Sequence, residues 1–171
     1  MSKDIKTQNP VSIEDFRLPR YNELPDVGLY LEQVIKYING YLVPLGCTEL
    51  TSSMVSNYVK KGVISSPVKK QYSAEQIGYL FFVAVAKNVI TIESIIKLID
   101  MQKSAYEGKV AYNYFCDELE SMLCQIYGIR NDIKPISERN TEQKMILRSV
   151  VIAASHIIYL NRTMWNKTPT K

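Results

Sequence analysis

LTSSMVSNYVKKGVISSPVKKQYSAEQIGYLFFVAVAKNVITIESIIKLI occupies residues 50–99. Thr51 stands where an N-cap belongs, because its hydroxyl can accept a bond from an orphan backbone N–H one turn into a short helix. Gly62 supplies the left-handed residue that stops that helix. Helical spacing puts Met54, Val55, Tyr58 and Val59 on the inner side and leaves Ser52, Ser53, Ser56, Asn57 and Lys60 outside. Gly62–Tyr72, GVISSPVKKQY, has β-branched residues on either side of a Ser-Ser-Pro turn and then two lysines, the pattern of a tight two-stranded ribbon or wing. Ser73 and Gln76 form a capping-box pair that opens a third helix, with Ile77, Leu80, Phe81 and Ala84 inside, running to about Asn88. Thr91 caps a fourth in the same way, with Ile92, Ile95, Ile96 and Ile99 inside.

Upstream, Leu31, Val34, Ile35, Ile38 and Leu42 recur at three- and four-residue steps, which predicts a first helix ending near Pro44 and Gly46. Residues 1–17 are polar and aperiodic and read as a flexible terminus, followed by an ordered arm at LPRYNELP. Downstream, two longer helices are expected, about Ser104–Tyr127 and Thr141–Trp165, parted by the linker GIRNDIKPISER. Tyr112, Phe115, Leu119, Met122 and Ile126 step 3-4-3-4 along the first of these, a short seam for packing within the chain or across a dimer. The second is apolar on nearly every side from Met145 to Leu160, so it should be sandwiched between helices or lie in a subunit interface. The expected fold is all-α: a winged helix-turn-helix over residues 18–103, followed by two longer packed helices over 104–171.

The chain has 171 residues, 46% hydrophobic and 22% charged, which is ordinary globular usage and far from the composition of disordered chains. Cys47, Cys116 and Cys124 make an odd count without a CxxC spacing, so neither a disulfide framework nor a zinc site is indicated. The opening MSKDIKTQNP has no apolar core of a leader, and the greasiest run, Val150–Leu160, is far shorter than the ~20 residues of a membrane span. A soluble, cytoplasmic protein that does not enter the membrane is expected. The net charge of +4 is modest, but its distribution is uneven. Residues 1–50 hold five basic and seven acidic side chains (−2), residues 51–103 seven and three (+4), and residues 104–171 nine and seven (+2). Between Thr51 and Ser73 stand Lys60, Lys61, Lys69 and Lys70 and no acid, the asymmetry of a phosphate-facing surface.

Enzymatic chemistry finds no support in the residues. The one histidine, His156, lies in the greasiest helix, where a core or interface role outweighs that of a ligand or base. No GxSxG, Walker loop, GxGxxG or HExxH occurs. Asp117, Glu118 and Glu120 read as a solvated helix face. No catalytic residue, metal ligand or cofactor is therefore assigned.

The segment 50–99 resembles the DNA-binding module of the MerR type, through Tyr58, Gly62, Tyr72, Ser73, Ile77, Leu80, Ile92, Ile95 and Ile96. More narrowly, LPRYNELPDVGLYLEQV with SSMVSNYVKKG and PVKKQYS resembles an uncharacterised family of low-GC Gram-positive bacteria, the domain of unknown function DUF1836. The likeness covers about residues 18–103. It implies a homodimeric transcriptional regulator on double-stranded DNA. Two departures from the MerR pattern matter: Ser56-Asn57-Tyr58 replaces a stretch where arginine is usual, and the long dimerising helix is missing.

On this reading Ser52, Ser53, Ser56 and Asn57 probe base edges in the major groove, while Lys60, Lys61, Lys69 and Lys70 hold phosphates. The C-terminal helices then serve as a dimer interface or as a pocket for a small apolar effector. Tyr106, Tyr112, Tyr114, Tyr127 and Tyr159 are candidates to line such a pocket, although tyrosines at helical spacing are more often core. The competing expectation is a protein-interaction module that keeps the scaffold without DNA function.

Overall fold

A computed structural model describes residues 10–130 and 141–165. From residue 131 onward the expected linker lies outside the described residues, as do residues 1–9. The architecture is all-α. A single 3-10 turn, Tyr21–Glu23, precedes β1 (Leu29–Tyr30), α1 (Leu31–Leu45), α2 (Ser52–Lys60), β2 (Gln71–Tyr72), α3 (Ala74–Ala86), α4 (Ile92–Ala105), α5 (Gly108–Ile126) and α6 (Glu142–Trp165).

The helix ends follow from the capping chemistry expected of the sequence. The Oγ1 of Thr51 accepts from the N–H of Met54 at 3.3 Å, that of Thr91 from Ser94 at 3.2 Å, and Ser73 and Gln76 bond reciprocally at 3.3 and 2.8 Å. Gly46 ends α1 at φ 99° and Gly62 follows α2 at φ 75°, conformations that cost other residues a Cβ clash. The stripe of α1 is buried at Val34, Ile38, Leu42 and Leu45.

At the centre lies α3, buried on almost every side from Gln76 to Ala86. One apolar cluster runs from Ile13 to Ile158 and includes residues of every helix, so the region 18–103 and the helices after it share a core. The heptad seam of α5 is used within the chain: Tyr112, Phe115, Leu119 and Met122 are buried, and α5 packs along α6 and against α3. Residues 11–17, read from sequence as part of a flexible terminus, instead carry Ile13 and Phe16 into the core, and the Val11 N–H donates to the Pro44 carbonyl at 3.2 Å.

Of the two roles expected of His156, the core one is excluded and the interface one is left open, and the acids of α5 depart in part from their expected solvated face. His156 is exposed, because α6 is covered on one side only: Leu147, Val150, Val151, Ala154, Ser155 and Ile158 face inward while Met145, His156, Leu160 and Met164 face out. Of the acidic residues of α5, Asp117 is solvent-exposed as expected, while Glu118 and Glu120 are not. Asp117 and Glu120 clasp Arg20 of the arm at 2.8 and 2.7 Å, and Glu118 is buried 3.6 Å from Arg148. Aperiodic acids on a helix look solvated until their partners, far away in sequence, are known.

Burial raises the carboxyl pKa of Glu118, with Arg148 opposing. The folded chain therefore holds this proton more tightly than the unfolded one, and the group's contribution to stability falls as pH rises through the titration window. Glu118→Gln is expected to raise Tm at pH 7 by about 1–3 °C, with the difference vanishing on acidification, as thermal melts across pH 4–8 will read. Cys116 is buried, which pushes its thiol up to about 12 and keeps it unreactive. Among the described residues no helix is long and apolar enough to cross a membrane.

Candidate nucleic-acid interface

α2 is buried at Val55 and Tyr58, while Ser53, Ser56, Asn57, Lys60 and Lys61 are exposed. These fall at i, i+3, i+4, i+7 and i+8, one continuous stripe about 10 Å long. The helix is held in place by Asn39 of α1, whose side chain donates to the Leu50 carbonyl and accepts from the Leu50 N–H at 2.9 and 2.8 Å. That pair of hydrogen bonds fixes the turn between α1 and α2. A lone asparagine on a helix gives no such sign in the sequence.

Ser52 stands apart from its three neighbours. Half-buried, its hydroxyl donates to Glu32 Oε1 at 2.9 Å, so the first turn of α2 is tied to the first turn of α1. The structure thus brings Ser53, Ser56 and Asn57 together on the open face and turns Ser52 toward an exposed carboxylate.

The wing differs from its expected form. Val63 and Ile64, expected in a strand, are buried in the core. The hairpin turn sits three to four residues beyond the expected Ser65-Ser66-Pro67, at Lys69-Lys70: Val68 and Gln71 exchange backbone bonds of 3.1 and 2.9 Å around it. Lys69 has φ 49° and Lys70 φ 64°, so the tip is a two-residue loop of the I′ kind, in which both central residues are left-handed. β2 then pairs antiparallel with β1, Leu29 opposite Tyr72 and Tyr30 opposite Gln71. Sequence reasoning missed β1, since two residues between a glycine and a helix carry no alternation to detect.

Gln76 supports the base of this ribbon. Its Nε2 donates to the carbonyls of Ser65 and Ser66 at 2.9 and 3.3 Å while its Oε1 caps α3. Gln76→Glu keeps the cap but sets a carboxylate against two carbonyls. The expected loss is about 1–3 kcal/mol, with faster amide exchange at Val68 and Gln71 than in the unaltered chain.

Lys60 and Lys61 stand at the C-terminal end of α2. Lys69 and Lys70 stand at the tip of the ribbon, whose partner strand β1 leads directly into Glu32 and so to Ser52. All four ammonium groups are exposed and none makes an ion pair among the described residues. The face is not purely cationic: beside the tip, Val68 is 75% and Tyr30 53% exposed. Among the described residues no group of His, Cys, Asp or Glu could hold a metal ion.

With this geometry in view, the family model described as Domain of unknown function (DUF1836) matches residues 19–115, more than half of the chain. The chain belongs to this family. The DUF1836 region takes in the arm, the α2 stripe and the ribbon, and it runs past residue 103 into α5, where Tyr112 bonds the arm at Pro19. No curated protein and no solved structure matches the chain.

Proposed function

We propose that this DUF1836 protein is a cytoplasmic transcriptional regulator that binds double-stranded DNA on a winged helix-turn-helix of MerR type, and not an enzyme. The observation that carries the reading is the open α2 stripe of Ser53, Ser56 and Asn57, continued by Lys60 and Lys61, together with the exposed Lys69 and Lys70 of the ribbon tip, four lysines that make no ion pair among the described residues. A slim helix of small polar side chains suits the ~12 Å major groove, with Asn57 suited to adenine and the hydroxyls to several bases. The lysines answer phosphate, which gives affinity that depends on salt but carries little sequence information. Ser52, engaged by Glu32, contributes as an acceptor or not at all.

Regulators that read two half-sites are dimers. The outward side of α6, with Met145 58% and Met164 71% exposed, is the face this reading assigns to the second copy. Sedimentation of the full chain tests that assignment.

The decisive experiment is electrophoretic retardation of a generic duplex at 50 and 200 mM salt. A regulator of this kind retains the duplex at low salt and releases it steeply as salt rises. No retention at low salt overturns the reading. One observation favours the alternative of a protein-interaction module: the exposed Val68 and Tyr30 share a row across the ribbon with Gln71, and apolar groups there suit a protein surface as well as a sugar edge. Val68→Ser with Tyr30→Ser leaves DNA retention within about twofold if the lysines dominate.

A further inference from the structure

A cavity of about 50 Å³ lies between α3, α4, α5 and the 3-10 turn of the arm. Rings of Tyr21, Tyr79, Phe82, Tyr112 and Phe115 form most of its wall. Four of these rings hold one another, Phe82 and Phe115 edge-to-face at 5.4 Å and Tyr21 and Tyr112 at 6.3 Å, the Tyr112 hydroxyl donates to the Pro19 carbonyl at 2.9 Å, and the outer face of Tyr79 carries the Lys103 ammonium 4.8 Å from its centroid. Of the five tyrosines singled out in the C-terminal helices, only Tyr112 reaches this space.

The wall is almost wholly apolar, and apolar cavities stay dry and accept apolar guests. The volume is several times what one water needs and about a third of a cavity that encloses benzene, while the mouth is open to solvent. A guest therefore inserts a short branched or flat tip and keeps its head outside. The charged side chain among the lining residues is Glu75, in the first turn of α3, exposed at the mouth. Gly108, at the start of α5, lies next to it: a Cβ there would stand 3.4 Å from Glu75 Oε1, in ordinary contact. Burial lifts the Tyr79 phenol to about 12, so beside that carboxylate it stays neutral.

We infer that this cavity is a binding site for a small amine, its apolar tip seated among the five rings and its cationic head on the Glu75 carboxylate. The site is independent of the nucleic-acid reading and uses none of its residues.

The test uses three molecules of one skeleton: 3-methylbutylamine, 3-methylbutanol and 3-methylbutanoate, titrated into the full chain and followed by NMR shifts and by Tm. The amine is expected to bind with Kd of about 0.1–10 mM, within the limit set by six heavy atoms. The alcohol is expected to bind several-fold more weakly and the carboxylate not measurably. Glu75→Gln brings the amine down to the alcohol's affinity with Tm unchanged. Ala111→Leu, which fills the cavity from α5, abolishes binding of all three while holding or raising Tm. No binding of any molecule, unaltered binding in Ala111→Leu, or a carboxylate as tight as the amine overturns the assignment.

Discussion

Replacing Lys69 by Asn and Lys70 by Gly yields a chain that is harder to unfold and weaker on DNA. Both lysines sit at positive φ, 49° and 64°, where an ordinary side chain costs about 1–2 kcal/mol. A two-residue turn of the I′ kind prefers Asn-Gly because asparagine tolerates and glycine freely adopts that backbone. Relief of part of this strain is worth about 1–2 kcal/mol, a Tm rise of about 2–8 °C for a chain of this size. The same change removes two cations, so the slope of log K against log salt falls by about 2. Lys69→Ala with Lys70→Ala gives the same loss of slope without the gain in Tm, since alanine fits the left-handed region no better than lysine. An unchanged slope in both variants removes the wing lysines from the interface. A fall in Tm for the Asn-Gly variant denies the strain.

Strain held at an exposed tip is informative because the core gains nothing from it. Neither lysine is buried and neither makes an ion pair among the described residues. The ribbon tip thus presents two charges at a backbone cost, which is the pattern of a residue kept for what it meets outside the chain.

Local features were legible from the chain alone, and long-range ones were not. Caps at Thr51, Ser73 and Thr91 and stops at Gly46 and Gly62 are decided within one helical turn, so the sequence displays them directly. The exposed side of α2 likewise follows from spacing. The hairpin was displaced because Ser-Ser-Pro is a stronger local turn signal than Lys-Lys. What overrode it is tertiary: Val63 and Ile64 are wanted by the core, Gln76 takes the Ser65 and Ser66 carbonyls, and β1 offers a partner for Gln71-Tyr72. Glu32, Asn39, Arg20 and Glu75 owe their roles to residues 11 to 100 positions away or to a cavity. No spacing rule reaches that far, and His156 could not be told as core or outward for the same reason, since the greasy run does not say which of its sides the rest of the chain covers.

Arg20→Met is expected to be the most damaging single change outside the apolar core. The guanidinium of Arg20 donates to the Leu18 carbonyl at 2.9 Å, to both oxygens of Glu120 at 2.8 and 2.7 Å and to Asp117 at 2.8 Å. Glu120 Oε1 also accepts from the Leu18 N–H at 2.8 Å. The side chains of Arg20 and Glu120 are only 22% and 19% exposed, so removing the cation strands a carboxylate with little water to replace it. Allowing for that residual exposure, the loss is about 2–4 kcal/mol, or a Tm lower by about 4–16 °C. The double variant Arg20→Met with Glu120→Gln keeps an acceptor for Leu18 and removes the stranded charge, so it should regain at least half of the loss. A double variant as unstable as the single one would place the damage in packing rather than in the ion pair. The arm itself is at stake, because residues 18–21 bring Pro19 to the Tyr112 hydroxyl and Tyr21 to the cavity mouth. With the clasp weakened, exchange should quicken first at the amides of Leu18 and Tyr21, the second of which is held by Asn113 of α5 at 2.9 Å.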